Sequence, residues 1–309
     1  MRHIRGVPLF VAAGLALAVA GIGTAAASAA GPFTCSGQFK KPGVLKGTYP
    51  DGVVVKGVCA VKSGKAHVIG TLTVTKGSAL AAAYGLHHSS LTVTGNVVVD
   101  KGAFAILGCK ANPDGSGIPC IDDHAKVPKL RSHAVVTGNI IANGTIGVLI
   151  HNTTIGGNLK ETGGGEALSC NVPTTGVFAA VKSPPYSDVE DSTIGKNVAI
   201  SSLKSCWLGL ARDKVGGSVT ISNNTMADPD AIEILASHIT KDLACTGNSH
   251  TTPTAPGAEP VWDSTETSMT PGVIYPRIAE PNTVGGTRSG QCTVSTPTTL
   301  GGASGPGAF

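Results

Sequence analysis

Apolar and polar residues alternate along this chain in short bursts, and most bursts are entered through glycine. Val97-Val98-Val99, Val198-Ala199-Ile200 and Val219-Thr220-Ile221 each set two aliphatic side chains two positions apart. A period of two sends one row to a buried face and the intervening row to solvent. These segments are therefore predicted to be β-strands, with Val97, Val99, Val198, Ile200, Val219 and Ile221 inward and Val98, Ala199 and Thr220 outward. Val, Ile, Thr, Asn and Gly are abundant. That is good material for strands and turns and poor material for helices.

The bursts repeat. Gly70-Thr71-Leu72-Thr73-Val74-Thr75-Lys76-Gly77 aligns with Gly95-Asn96-Val97-Val98-Val99-Asp100-Lys101-Gly102, and Gly52-Val53-Val54-Val55-Lys56-Gly57 carries the same phrase. The theme returns at Gly138-Asn139-Ile140, Gly157-Asn158-Leu159, Lys196-Asn197-Val198, Gly217-Ser218-Val219 and Lys241-Asp242-Leu243. Measured from Gly70, the successive spacings are 25, 43, 19, 39, 21 and 24. Most fit one coil of about twenty residues, the period of a solenoid. The spacing of 43 reads as one coil plus an excursion through Cys109 to Lys129, and that of 39 as two coils or one coil plus a Gly163–Asp188 insertion.

A single coil cannot bury its apolar row, but coils stacked at about 4.8 Å bury it against their neighbours. Glycine before each strand permits positive φ at the corner, and the asparagine beside it can hydrogen-bond along a stacked ladder. Asn-x-Thr sequons at Asn143, Asn152 and Asn223 are read as corner residues rather than as glycosylation sites. The expected fold is all-β, a right-handed parallel β-helix with an N-terminal cap and a Pro/Thr/Gly-rich C-terminal tail. An antiparallel sandwich also uses short strands at regular spacing, yet it gives no reason for one phrase to recur at the distance of a coil.

The opening Gly47-Thr48-Tyr49-Pro50-Asp51-Gly52-Val53-Val54-Val55-Lys56-Gly57-Val58-Cys59, the repeated Gly-Asn-Val-x-Val and the closing Leu243-Ala244-Cys245-Thr246-Gly247-Asn248 resemble a family of secreted bacterial right-handed β-helix proteins. The resemblance runs from Val44 to Ser249. It implies the architecture and no particular activity. Lys196 and Lys241 depart from it, standing where glycine is usual, so those corners are expected to take another backbone form or tolerate strain.

The ends divide the chain. Arg2 and Arg5, the apolar run Leu9 to Ile22 and Ala27-Ser28-Ala29 read as a signal peptide over residues 1–30, cut after Ala29 or Ala30. An uncleaved anchor is the rival reading. Residues 31–250 form the expected β-helix domain, with Pro32 to Lys46 as its cap. Residues 251–309, rich in Pro, Thr, Ser and Gly, read as a partly disordered tail whose middle docks through Val273-Ile274-Tyr275 and Cys292.

Eight cysteines fit an oxidising compartment, with no Cys-x-x-Cys for a zinc ribbon. The expected pairs are Cys35–Cys59, Cys109–Cys120, Cys170–Cys206 and Cys245–Cys292. Without the leader, 21 basic residues face 19 acidic ones, and no basic cluster dense enough for nucleic acid stands out.

Candidate chemistry concentrates in the excursion. Asp122, Asp123 and His124, with Arg131 and His133 following, could serve acid–base chemistry on a polysaccharide; Asp114, Asp122 and Asp123 could supply oxygens to calcium. The spacing fits no EF-hand, and Asn112-Pro113-Asp114-Gly115 is ordinary turn chemistry. His87-His88 point to opposite sides of an extended segment. Ser187-Asp188-Val189-Glu190-Asp191 and Arg212-Asp213-Lys214 read as short charged turns, and Trp207 as packing beside Cys206. With two Trp and four Tyr, the chain is poor in the flat rings that sugar clefts use.

The expectation is an exported, secreted or cell-surface protein: a non-catalytic β-helix scaffold or interaction module needing no cofactor. Its partners would be cell-wall or extracellular polymers, with no membrane contact after leader cleavage. Two alternatives stay open, a polysaccharide lyase or hydrolase with its site beside the 109–133 loop, and a calcium-stabilised structural repeat protein.

Overall fold

The computed structural model describes residues 31–82, 89–109, 133–166, 168–228, 232–251, 261–263 and 282–293. Among them the chain winds as a parallel β-helix whose successive coils add strands to three faces. The repeat face carries the Gly-Asn-Val-x-Val strands, among them Leu72–Val74, Val97–Val99, Ile140–Thr145, Leu159–Gly164, Val198–Ser205, Val219–Ser222 and Leu243–Thr246. The covered face follows, with Ala79–Ala82, Phe104–Leu107, Gly147–His151, Tyr186–Glu190, Trp207–Ala211 and Ile232–Leu235. The narrow face, a nine-stranded sheet from Gly47–Tyr49 to Thr283–Val284, closes each turn. Val53–Val61 is long enough to bend from the repeat face onto the covered face, pairing with strands of both.

Register follows the aliphatic period. Val53, Leu72, Val97, Ile140, Leu159, Val198, Val219 and Leu243 lie one above the next in parallel pairing. All eight are buried, whereas Thr220 is exposed and Val98 and Ala199 are half-buried. Each fully buried Val, Leu or Ile contributes roughly 1.5–3 kcal/mol, so a continuous column of them is the principal stabiliser. The spacing of 43 is one coil with an excursion, because Val97 pairs directly with Ile140. That of 39 is also one coil, because Leu159 pairs with Val198; its insertion holds the helix Gly176–Val181.

The corner between narrow and repeat faces carries the expected ladder. The Asn139 and Asn158 backbone N–H groups donate to the Oδ1 atoms of Asn96 and Asn139, both at 2.8 Å, and their side-chain Nδ2 groups reach the same oxygens. Asn197, Ser218, Asp242 and Thr287 continue it. Gly52 and Gly70 take the expected positive φ, 90° and 99°, but glycine acts differently further along the stack. Gly95, Gly138, Gly157 and Gly217 do not have positive φ. The corners instead nest so tightly that a Cβ on Gly138 would lie 2.5 Å from the Gly95 carbonyl oxygen. Lys196 and Lys241 also lack positive φ, so replacing glycine there requires no unusual backbone.

Both ends differ from the expected boundaries. Pro32 to Lys46 is no separate cap: Phe33–Gly37 pairs in parallel with Val53–Gly57, and Gly43–Val44 with Cys59 and Ala60, making this segment the first coil itself. Winding also continues past residue 250. Val261–Asp263 pairs with Ile232–Ile234, Thr283–Val284 with His238–Ile239, and Arg288–Gly290 with Leu243–Cys245. The docking segment is therefore formed by these strands; Val273-Ile274-Tyr275 lies outside the described residues.

Disulfides Cys35–Cys59, Cys170–Cys206 and Cys245–Cys292 are present, with Cα separations of 6.4, 4.8 and 5.2 Å. Cys109 is disulfide-bonded and buried; Cys120 lies outside the described residues. Such bridges fit an oxidising environment. No helix among the described residues is long and apolar enough to cross a membrane.

Candidate functional site

An insertion frames the covered face. The helix-bearing segment after Gly164 precedes its strand Tyr186–Glu190. Phe104 and Phe178 meet edge-on at 5.2 Å, Phe178 contacts Tyr186 at 5.7 Å, and Tyr186 contacts Trp207 at 6.0 Å. Phe178 comes from the helix and buries Phe104, Ile106 and Leu149 on the outer side of the sheet. Trp207 is 1% exposed and offers no flat surface to a sugar.

Asp114, Asp122, Asp123, His124 and Arg131 lie outside the described residues, as do His87 and His88. His133 begins a narrow-face strand, half-buried and in register with Ser90. The structure assembles a different group, where the covered face turns into the narrow face. His151, Glu190 and Ala211 are aligned neighbours in successive coils. The residues after them, Asn152, Asp191 and Arg212, all have positive φ, between 50° and 59°. That shared corner conformation aims the Asp191 and Arg212 side chains along the same edge of the stack.

Arg212 Nη2 donates to Glu190 Oε2 at 2.8 Å and to Asp191 Oδ2 at 3.0 Å, while its Nε reaches Asp191 Oδ1 at 3.1 Å. His151 lies between the same carboxylates, with Nδ1 3.2 Å from Glu190 Oε2 and Nε2 3.4 Å from Asp191 Oδ2. The four side chains are between 1% and 10% exposed. Burial works against the charge on Arg212, but Glu190 and Asp191 outweigh it and raise its pKa. The charged-turn reading of 187–191 and 212–214 is thus corrected: Glu190, Asp191 and Arg212 form a buried ion-pair network on a strand and its corner, while Lys214 is exposed.

Two further acids crowd this network. Asp188 is held well above the usual carboxylate range by burial first and then by repulsion from Glu190 and Asp213. Asp213 is also raised, mainly by burial, although it accepts the Ser192 N–H at 2.9 Å. Asp213 belongs to a second corner ladder in which the Thr153, Ser192, Asp213 and Ser237 N–H groups donate to Ser192, Asp213, Ser237 and Asn282 side chains.

Inside the barrel stands one more acid. Glu161 occupies the inward column between Ala142 and Ile200 and accepts hydrogen bonds from Thr145 at 3.0 Å and Ser187 at 2.9 Å. Burial pushes its pKa up to about 7 despite these two hydroxyls. Lodged in the core, it is out of reach of a substrate.

His151, Glu190 and Asp191 have donor atoms close enough to hold a metal ion. The Arg212 guanidinium already lies against both carboxylates, supplying the positive charge that an ion would bring. Cys170, Cys206 and Asp228 also cluster, but the two sulfurs are spent on a disulfide. Coil spacing was the available signal for the ion pairs, since Asp191 and Arg212 stand 21 residues apart. The His151–Glu190 register, 39 residues apart, additionally crosses the 165–185 insertion. No protein-family model, curated protein or solved structure is significantly similar to this chain.

Proposed function

We propose that this protein is an exported, non-catalytic β-helix scaffold that presents its outer faces and loops to extracellular or cell-wall polymers. The observation that carries this reading is the closure of the His151–Glu190–Asp191–Arg212 network. The densest group of ionisable side chains among the described residues is spent on internal pairing and is buried. A general acid or base must reach the proton it transfers, and this network faces its own partners. The leader-like N-terminus and the disulfides support export.

One observation favours a second reading, a polysaccharide lyase or hydrolase. Asp188 stands two residues before Glu190 on one covered-face strand and keeps its carboxyl above the usual carboxylate range, as a general acid beside a carboxylate would. Turnover decides between the two. The scaffold reading expects the purified protein to leave polygalacturonate and other acidic polysaccharides intact, and Glu190→Gln to lower the melting temperature. Depolymerisation by the wild type, lost in a normally folded Asp122→Asn/Asp123→Asn variant, would establish the enzyme and end the scaffold reading.

A further inference from the structure

Charge is polarised along the stack. Residues 31–99 hold seven lysines and a single acidic residue, Asp51, whereas residues 100–309 hold 14 basic and 18 acidic residues. Lys40, Lys41 and Lys46 come from the first coil, and Lys56, Lys62, Lys65 and Lys76 from the next two; all seven are exposed. The near-neutral total therefore conceals a basic end.

The same end is apolar at its tip. Phe33, Phe39 and Val44 are 47%, 50% and 52% exposed. Phe39 and Lys40 sit at the tip of a two-residue turn closed by reciprocal Gln38 and Lys41 backbone hydrogen bonds. Phe33 stacks at 4.8 Å on Tyr49, so the first coil carries aromatic surface on two faces. Its strands Phe33–Gly37, Gly43–Val44 and Gly47–Tyr49 pair only with the following coil among the described residues.

We infer that this first coil is a docking surface for an anionic lipid bilayer, approached end-on. Lysines around the rim match anionic headgroups, each contributing about a fivefold gain in partitioning when close to the surface. Phe39 and Phe33 supply the apolar and aromatic groups that enter the interfacial layer. A soluble polyanion would satisfy the lysines and leave these side chains in water. A second copy meeting this end would oppose one basic surface to another. The inference goes beyond the scaffold reading, setting a bilayer contact where the sequence led to the expectation of none, and it stands or falls without reference to catalysis.

The test uses Gly31–Phe309, which forms a compact unit by itself, so that no leader contributes. The protein is sedimented with vesicles of phosphatidylcholine alone or with about one-third phosphatidylglycerol. Binding is expected only to the anionic vesicles, weakening as salt rises. Lys40→Glu/Lys41→Glu/Lys46→Glu is expected to lower it at least about tenfold and Phe39→Ser several-fold, while Lys204→Glu, several coils away, leaves it intact. Melting temperatures should match, since every altered side chain is exposed. Absence of wild-type binding, equal binding to neutral vesicles, or an equal effect of Lys204→Glu overturns the proposal. Binding to soluble dextran sulfate with no loss in Phe39→Ser, or a dimer abolished by the triple change, would replace the bilayer with a polyanion or a second copy.

Discussion

The two corners that flank the narrow face solve one problem with opposite chemistry. Both stack a polar residue on its counterpart in the next coil, and both use a side-chain oxygen to accept a backbone N–H from a neighbouring coil. The corner entering the repeat face does it with neutral asparagines, Asn96 to Asn197. The corner leaving the covered face does it with Ser192, Asp213 and Ser237 and adds Glu190, Asp191, Arg212 and His151 beside them. An amide carries both donors and acceptors, so identical residues stack without penalty. Carboxylates carry acceptors only when ionised, so stacking them requires an intervening cation or a retained proton. The asparagine stretch of the first corner can therefore repeat without charge until Asp242 joins it, while the charged corner must alternate and is sensitive to pH.

The largest effect should come from removing the cation. Arg212→Ala leaves Glu190 and Asp191 buried opposite one another, and loss of one partner from a buried pair costs about 3–5 kcal/mol. Chemical denaturation of the variant measures this; a cost below about 1 kcal/mol would show that the network is effectively solvated.

Next comes the pH dependence from Glu161. Its carboxyl holds a proton up to about 7 in the folded protein, against 4.5 for an ordinary glutamate. The folded state thus binds more protons across that interval, and stability falls as pH rises from 4.5 through about 7. The lost contribution is on the order of 3 kcal/mol. Asp188 and Asp213, raised too, act in the same direction. Glu161→Gln keeps an acceptor for Thr145 and Ser187 and should flatten the dependence of melting temperature on pH. An unchanged profile would mean that Glu161 ionises as freely folded as unfolded.

The neutral corner should show a smaller, pH-independent loss. Asn139→Ala removes the bond donated to Asn96 and the two accepted from Asn158, costing about 1–3 kcal/mol. A loss that varied between acid and neutral pH would erase the contrast between the corners. The smallest effect belongs to Thr220→Asp, on the exposed side of a repeat-face strand and away from both corners. It should stay within about 0.5 kcal/mol by thermal melting. A larger cost would mean that the outer repeat face is covered.

Much of the fold was legible because the information is local. A strand of period two, such as Val219-Thr220-Ile221, states which side is buried whatever it packs against. Recurrence of Gly-Asn at the distance of a coil states that the next copy lies directly above. The Cys35–Cys59, Cys170–Cys206 and Cys245–Cys292 pairs were legible for the same reason, since stacking brings sequence neighbours together. Glycine's positive φ was legible at Gly52 and Gly70, but from Gly95 onward its need comes from the approach of an adjacent corner, and that approach appears only once the coils are stacked.

The candidate site was not legible. Asp188 to Asp191 and Arg212-Asp213 have the composition of a solvated turn, and nothing local says that their corner is buried; only the His151–Glu190 register also crosses an insertion of unknown path. The sequence by itself determined the repeating strand, its inward row and the neutral asparagine ladder, because each depends on a period within one stretch of chain. Only the tertiary structure decided that Glu190, Asp191, His151 and Arg212 share one buried corner and that Glu161 stands in the apolar column. These depend on which coils are neighbours and on what covers them, and burial, which turns a pair of charges from a weak surface contact into a strong constraint, belongs to the stack as a whole.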